Sequence, residues 1–398
     1  MQSIDISPTP SPRRERSRPT SSQGRSFGSS QSSGTLTLAQ RLTNFGLPRA
    51  VLIGIQRGDV DAHLTAARMV SDGKPANNPA WTTAAELFQA AADKGDLEAA
   101  FQLGWLHFAG IGIAQSDIEA IAYWHLVHSQ SSNAIMKSIA MFMTGCCCYL
   151  GRGTQLDESR AHQFFCESMT PEFPFGRLLV YGDGKTESFS PVAVGFFQLC
   201  QLGSDHDWFC RHLVAKCMLG GFGVKKDREF AVGIMHELAY QGYSISQFAL
   251  AECYCMGLGV PEDPVKGIKW LTTAANQGNA DAQFALGGCY CKGEDVTQDH
   301  AKGIEWFTKA ANQGNADAEF ALGVCYCKGE GVTQDYAKAI KWLTKAARQG
   351  NAESQDWLGD CYRDGKGVPK NTETARSWYQ KAAAQGNKNA QTSLSKLR

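Results

Sequence analysis

The chain has 398 residues, of which 43% are hydrophobic and 20% charged, and its lysines and arginines balance its aspartates and glutamates at 39 each. This composition is typical of a globular protein, and the lack of a basic excess argues against a nucleic-acid partner. No apolar run reaches the roughly 18–20 residues that a membrane-spanning helix requires, so we expect no membrane insertion. The N-terminus has no apolar signal segment. We therefore expect an intracellular, cytoplasmic chain whose 14 cysteines are mostly free thiols.

Residues 1–36 form a separate segment that is rich in serine, arginine and proline and poor in large apolar side chains. Such a segment cannot bury enough apolar surface to offset the entropy of ordering, so we expect a disordered tail. Ser7, Thr9 and Ser11 each precede a proline and lie close to a run of arginines, which makes them candidate phosphorylation sites. The alternative is a solvated tail with incidental Ser-Pro pairs.

The rest of the chain, residues 37–398, is built from a repeat with a period of 36 residues. Three residue types recur at this spacing: the glycines Gly242, Gly278, Gly314, Gly350 and Gly386, the cysteines Cys217, Cys253, Cys289, Cys325 and Cys361, and the tryptophans Trp270, Trp306, Trp342 and Trp378. We expect regular repeats over 206–390 and degenerate repeats over 37–205, with the weakest copy around 171–205. The total is eight or nine repeats.

Each repeat is predicted to fold into two α-helices. In the copy that begins at Ala280, Ala282 and Leu286 lie on one helical stripe and Gly293 follows as a break. A column of side chains suited to helix capping precedes the second helix: Asp227, Asp263, Asp299, Asp335 and Asn371. Gly314 is placed to end that second helix. Because one such hairpin cannot bury its apolar face alone, stacked hairpins are expected to form an all-α solenoid.

The unit A-x-x-x-L-G-x-x-Y-x-x-G-x-G-V, followed by D-x-x-K-A and W-x-x-K-A-A-x-Q-G, resembles the Sel-one-like repeat family, relatives of the tetratricopeptide repeats. The match is nearly complete from Ala318 to Gly350, strong over 211–390 and moderate over 80–166. The resemblance implies a right-handed superhelix of helical hairpins that serves as an adaptor in signalling or in the assembly of protein complexes.

Secreted, cysteine-rich bacterial members of this family, some of which bind penicillin or have β-lactamase activity, provide an alternative function. Those members staple each repeat with two cysteines several residues apart, whereas the recurrent pair here is Cys-Tyr-Cys, as in Cys289 and Cys291. Two residues at this spacing on a helix point about 200° apart, so they cannot form a disulfide with each other. The spacing therefore disfavours a β-lactamase-like hydrolase.

The cysteines and histidines form no recognisable metal motif. The densest group is Cys200, His206, Cys210, His212 and Cys217, and no second C-x-x-C or H-x-x-x-H pair completes it. Nucleophile elbows, Walker loops and H-E-x-x-H motifs are also missing. We therefore expect a protein that is not an enzyme and has no metal or cofactor, with its cysteines, including the run 146–148, packed in the core.

Two columns of the first helix are candidates for binding a partner. One is aromatic: Phe101, Phe248, Phe284 and Phe320 either pack against the adjacent repeat or line a groove as anchors for a peptide. The other varies from repeat to repeat, as expected where the specificity for a partner is encoded. Its positions are Glu252, Met256, Gly288, Lys292, Val324, Lys328, Asp360 and Asp364.

The sequence thus predicts a non-catalytic scaffold that binds a protein or peptide in the concave groove of a solenoid, with Phe284, Phe320 and the variable column as groove residues. A self-associating structural protein is a further alternative, because the near-identical C-terminal repeats would stack end to end unless residues 388–398 cap them.

Overall fold

The computed structural model describes residues 37–175 and 188–397. These residues form twenty α-helices and one isolated β-bridge between Ser188 and Phe222. The predicted tail and the candidate phosphorylation sites Ser7, Thr9 and Ser11 lie outside the described residues. None of the described helices combines the length and the hydropathy that crossing a membrane demands.

In chain order the helices are α1 Leu38–Thr43, α2 Arg49–Gln56, α3 Val60–Ser71, α4 Ala80–Ala92, α5 Leu97–Ala109, α6 Asp117–Gln130, α7 Ala134–Leu150, α8 Glu158–Ser168, α9 Pro191–Gly203, α10 Trp208–Gly220, α11 Arg228–Tyr240, α12 Ser244–Met256, α13 Pro264–Asn276, α14 Ala280–Lys292, α15 His300–Asn312, α16 Ala316–Lys328, α17 Tyr336–Arg348, α18 Ala352–Asp364, α19 Thr372–Ala384 and α20 Lys388–Lys396. Consecutive helices pack as hairpins, from α3 with α4 to α18 with α19, and each hairpin then stacks on the next. The all-α repeat solenoid predicted from the sequence is confirmed.

The predicted capping column begins the second helix of each regular repeat. All five side chains accept a hydrogen bond from the backbone N–H three residues further on: Asp227, Asp263, Asp299, Asp335 and Asn371. Pro264 occupies the first helical position after Asp263, where its missing N–H has no consequence. The first helices end differently, because Gly293 and its counterparts have the positive φ that terminates a helix in the left-handed conformation.

Glycines set the distance between the two helices of a hairpin. A Cβ atom added at Gly287 would lie 2.6 Å from the Phe307 ring, and one at Gly359 would lie 2.4 Å from the Tyr379 ring. Real Cβ atoms do not approach other heavy atoms so closely. The large side chain of the second helix therefore packs directly on the backbone of the first, as the fixed columns of small residues predict.

The described residues of the irregular copy around 171–205 are joined to their neighbours by an aromatic cluster. Phe173, Phe175, Phe142, Phe196 and Phe222 are all fully buried. The rings of Phe175 and Phe196 have centroids 4.8 Å apart, and those of Phe173 and Phe196 are 5.2 Å apart. The Phe173–Phe196 pair is edge-to-face and the Phe175–Phe196 pair is tilted, and ring packing at such distances is favourable, so this cluster fixes how the helices on either side of it are oriented.

The solenoid curves enough to bring distant repeats into contact. Tyr149, at the end of α7, donates a 2.7 Å hydrogen bond to Asp281 at the start of α14, and Asn279 donates to the Tyr149 hydroxyl at 3.1 Å. Ser159 in α8 donates to the carbonyl of Gly314 at 3.4 Å. Tyr149 and Asp281 both belong to first helices, so first helices face the inside of the superhelix here, together with the N-terminal part of the second helix α8.

Candidate functional site

A cavity of about 90 Å³ lies where these distant repeats meet, and we call it the inner cavity. Its walls come from α7, α8, α10 and α12 and from the N-terminal ends of α14 and α16. The large apolar side chains of the wall are Cys146, Phe165, Phe209, Ile245 and Phe248. Since a single water needs only about 10–15 Å³, the inner cavity has room for the end of a side chain.

Acidic side chains dominate the polar part of the wall. Glu158, Glu252, Asp281 and Asp317 line the inner cavity together with Lys216 and His162. Lys216 is almost fully buried, and its Nζ lies 3.9 Å from a carboxylate oxygen of Glu252. Glu158 is also buried, whereas Asp317 is exposed at the rim.

The environment of these carboxyl groups favours their neutral forms. Burial, and after it the charge of Asp281, raises the pKa of Glu158 to about 9. Burial also raises the pKa of Asp281, although the hydrogen bonds from Tyr149 and Asn315 act in the opposite direction. The pKa of Glu252 is raised by burial and lowered by Lys216, with burial the larger cause. A cation brought into the inner cavity would shift all of these groups back toward their charged forms.

His212 is a buried polar side chain in the same wall. It replaces the phenylalanine of the aromatic column, and its ring stacks on Phe209 with centroids 5.9 Å apart. Its Nδ1 lies 2.9 Å from the hydroxyl of Ser246, while Nε2 has no hydrogen-bond partner among the described residues. Burial, and after it the charge of Lys216, lowers the pKa of His212 to about 3, so the ring is neutral at physiological pH.

Four residues of the inner cavity occupy the two columns that the sequence singled out. His212 and Phe248 belong to the aromatic column, and Lys216 and Glu252 belong to the variable column. Of the predicted groove residues, Glu252 alone lines the inner cavity. Gly288 continues the variable column, and a Cβ atom added there would meet no atom within 4 Å, so this position faces open space.

The other predicted groove residues are distributed along the first helices of the C-terminal repeats. Phe284 packs on Phe307 at 5.7 Å between ring centroids, and Phe320 and Val324 are also half-buried. Met256 is 51% exposed at the end of α12. These residues do not share one pocket with Glu252.

Besides Glu252, four of the predicted groove residues carry charge, and each of these four has an ion-pair partner within its own repeat. Lys292 pairs with Glu294, Lys328 with Glu330, and Asp360 and Asp364 both pair with Arg363. Asp360 also accepts a 2.6 Å hydrogen bond from the Tyr379 hydroxyl.

Sequence reasoning missed Glu158, Asp281, Lys216 and His212. Lys216 and His212 were within reach, because extending the two columns by one repeat toward the N-terminus leads directly to them. Glu158 and Asp281 had no such signal, because their proximity depends on the curvature of the whole solenoid.

The fourteen cysteines all lie in the described ranges and are free thiols. Cys146, Cys200, Cys210 and Cys217 are fully buried, and burial raises the pKa of each thiol. Within the described residues, no three histidine, cysteine or acidic side chains converge closely enough to hold a metal ion.

Solved structures of similar sequence are bacterial repeat proteins. A protective antigen of uropathogenic Escherichia coli with an SLR fold is 26% identical, covering 91% of this chain and 75% of that one, with a TM-score of 0.48. A Sel1 repeat protein from Oxalobacter formigenes is 24% identical, covering 91% of this chain and 93% of that one, with a TM-score of 0.47. The cysteine-rich protein B of Helicobacter pylori is 23% identical over 33% of this chain and 94% of its own, with a TM-score of 0.28. Comparison with curated proteins gives no significant match.

The Sel1 repeat matches eight segments that together span well over half of the chain: 72–96, 97–126, 138–168, 209–243, 244–279, 280–315, 316–351 and 352–387. The interval between 168 and 209 has no match and contains α9 and part of the aromatic cluster. Eight copies agree with the eight or nine predicted from the sequence. The chain therefore belongs to the Sel1 repeat family.

Proposed function

We propose that the protein is a non-catalytic scaffold that binds a protein or peptide partner along the inner face of its solenoid. Sel1 repeat proteins generally act as scaffolds for protein interactions. A stacked repeat array supplies a long, continuous surface on which a partner contacts several repeats at once.

One observation carries the proposal. The column that varies between repeats runs along the inner face, whereas the columns that hold the helices together stay fixed. Lys216 and Glu252 occupy this column in neighbouring repeats and lie in one wall, and Gly288 continues it with open space in front of its backbone. Side chains that vary and do not maintain the fold are those expected to select a partner.

Site-specific photo-crosslinking tests the proposal. A benzoylphenylalanine introduced in place of Gly288 presents its reactive ketone on the inner face. The matched control replaces Gly233, an exposed glycine of the second helix α11 where an added Cβ atom also meets nothing within 4 Å. Both positions lie within helices, so the two variants differ mainly in the face that they probe.

We expect covalent adducts with a defined partner when extract is irradiated with the inner-face variant, and few or none with the outer-face variant. Mass spectrometry of the adduct then identifies the partner and the peptide that contacts position 288. Equal labelling at both positions, or labelling at position 233 alone, would show that partners do not bind along the inner face.

A further inference from the structure

We propose that the inner cavity receives the guanidinium group of an arginine side chain that the bound partner inserts into the solenoid. This inference rests on the scaffold function proposed above, since it names the chemical group that the partner contributes.

The first argument is charge. Four carboxyl groups line the inner cavity, against one lysine, Lys216, which already pairs with Glu252, and one histidine on helix α8, His162. None of the described lysines, arginines or histidines forms an ion pair with Glu158 or Asp281, although Glu158 is buried and Asp281 half-buried. Carboxyl groups out of contact with water are strongly stabilised by a cation that lies against them.

The second argument is the unpartnered nitrogen of His212. The ring is fully buried in the cavity wall, and Nδ1 is occupied by Ser246, which does not line the inner cavity. The remaining nitrogen, Nε2, is therefore the ring's polar atom toward the cavity. When Nδ1–H donates to Ser246, Nε2 carries a lone pair and accepts a hydrogen bond from a guanidinium N–H.

The third argument is an arrangement that the chain already contains. Arg152 lies between Asp117 and Asp207, with its nitrogens 2.6 Å and 2.9 Å from their carboxylate oxygens, and its guanidinium carbon lies 4.0 Å from the centre of the Phe108 ring. Two carboxyl groups and an aromatic face thus hold an arginine within this fold. The inner cavity presents Glu158, Asp281 and the rings of Phe165, Phe209 and Phe248 without an arginine of the described chain among them.

The aromatic rings and carboxyl groups of the wall favour a guanidinium over other cations. The guanidinium is planar, stacks on aromatic rings and donates hydrogen bonds in several directions, whereas an ammonium is a compact point charge. A metal ion is disfavoured, since no group of three ligand side chains in the described ranges converges closely enough to bind one.

A pair of short peptides tests the proposal on the full chain. The probe is acetyl-Phe-Arg-Phe-amide, and the control carries citrulline in place of arginine, which keeps the shape and removes the charge. Calorimetric titration at neutral pH is expected to give binding of the arginine peptide that is at least about tenfold tighter than that of the citrulline peptide. Because Glu158 must ionise when the cation enters, titrations in buffers of different ionisation enthalpy should also show a release of protons.

Three variants locate the binding. Glu158→Gln imitates the neutral carboxyl group of the free protein, so we expect it to leave the fold unchanged. It should lower the affinity for the arginine peptide at least about tenfold. Asp281→Asn should have a similar effect. Glu373→Gln removes an exposed carboxylate in the first turn of the second helix α19, outside both columns, and should leave the affinity unchanged. Equal affinity for both peptides, or full affinity in the Glu158→Gln protein, would overturn the proposal.

These results are independent of the crosslinking test. Adducts at position 288 together with equal affinity for both peptides would refute the guanidinium site and leave the scaffold function intact. Selective binding of the arginine peptide without adducts at position 288 would support the guanidinium site and locate the partner elsewhere.

Discussion

Tyr149 and Asp281 are hydrogen-bonded at 2.7 Å although 132 residues separate them in the sequence. In a solenoid, most contacts join a repeat to its immediate neighbours. The contact between these two residues instead joins the repeat 138–168 to the repeat 280–315, and it closes one side of the inner cavity. The inner cavity therefore depends on the curvature of the superhelix as well as on the side chains that line it.

Tyr149→Phe should loosen this closure. The substitution removes one of the two side-chain donors to the half-buried Asp281 carboxylate and leaves Asn315 as the other. We expect a loss of about 1–3 kcal/mol in the free energy of unfolding, measured with urea. Tyr290→Phe is the control, because the Tyr290 hydroxyl makes no hydrogen bond to the described residues. An equal loss in both proteins would show that the Tyr149–Asp281 hydrogen bond does not stabilise the fold.

Substitution of two adjacent glycines in α14 by alanine should change the stability of the protein in opposite directions. At position 287 the new methyl group would lie 2.6 Å from Phe307, which is buried, and we expect destabilisation by about 1–3 kcal/mol. At position 288 the methyl group has open space, and the gain in helix propensity should stabilise the protein by about 0.5–1 kcal/mol. Thermal denaturation of Gly287→Ala and Gly288→Ala measures the difference. Equal effects would mean that the interhelical spacing is not set by Gly287.

Glu319 is predicted to be a destabilising member of a column that is glutamine in the repeats before and after it. Gln247, Gln283 and Gln355 each donate from the side-chain amide to the carbonyl eight residues earlier, at 3.0–3.1 Å. A carboxylate at position 319 has no hydrogen to donate, and burial raises the pKa of Glu319 to about 7. Glu319→Gln restores the donor while keeping the acceptor for Gln349. We expect a gain of about 0.5–1.5 kcal/mol at neutral pH.

The same carboxyl group, that of Glu319, should make the free energy of unfolding depend on pH. Because the pKa of Glu319 is raised in the folded state, its contribution to stability is fully present below pH 4.5 and is lost as the pH rises toward about 7. The loss has a slope of up to about 1.4 kcal/mol per pH unit in this window. Urea denaturation at a series of pH values should show this slope in the wild type and a flatter profile in Glu319→Gln. If the stability of both proteins changed with pH in the same way, the slope would not come from Glu319.

Local patterns in the sequence were sufficient to predict the hairpins. The capping aspartates and the small-residue columns act within one repeat or between neighbours, so a 36-residue period reveals them directly. The two columns proposed to contact a partner are visible at the same period, and Glu252 lies in the inner cavity as part of one of them.

The closure and the cavity it forms could not be predicted in this way. The curvature that brings Tyr149 to Asp281 is influenced by the irregular interval around Phe173 and Phe175, where the period is lost and an aromatic cluster takes over the packing. Small changes in orientation at that interval add up over several repeats. The residues that surround Glu158 therefore depend on the summed rotations of successive repeats, which no single sequence motif predicts.

The measurement that tests the central claim most directly is the affinity of the crosslinked partner, once purified, for two matched tryptophan variants. Gly288→Trp fills the open position on the inner face, and Gly233→Trp places the same side chain on the outer face. Binding along the inner face predicts that Gly288→Trp weakens binding by about tenfold or more, equivalent to at least 1.4 kcal/mol, while Gly233→Trp changes it less than about twofold. Equal affinities for the two variants, or a larger loss for Gly233→Trp, would contradict the account.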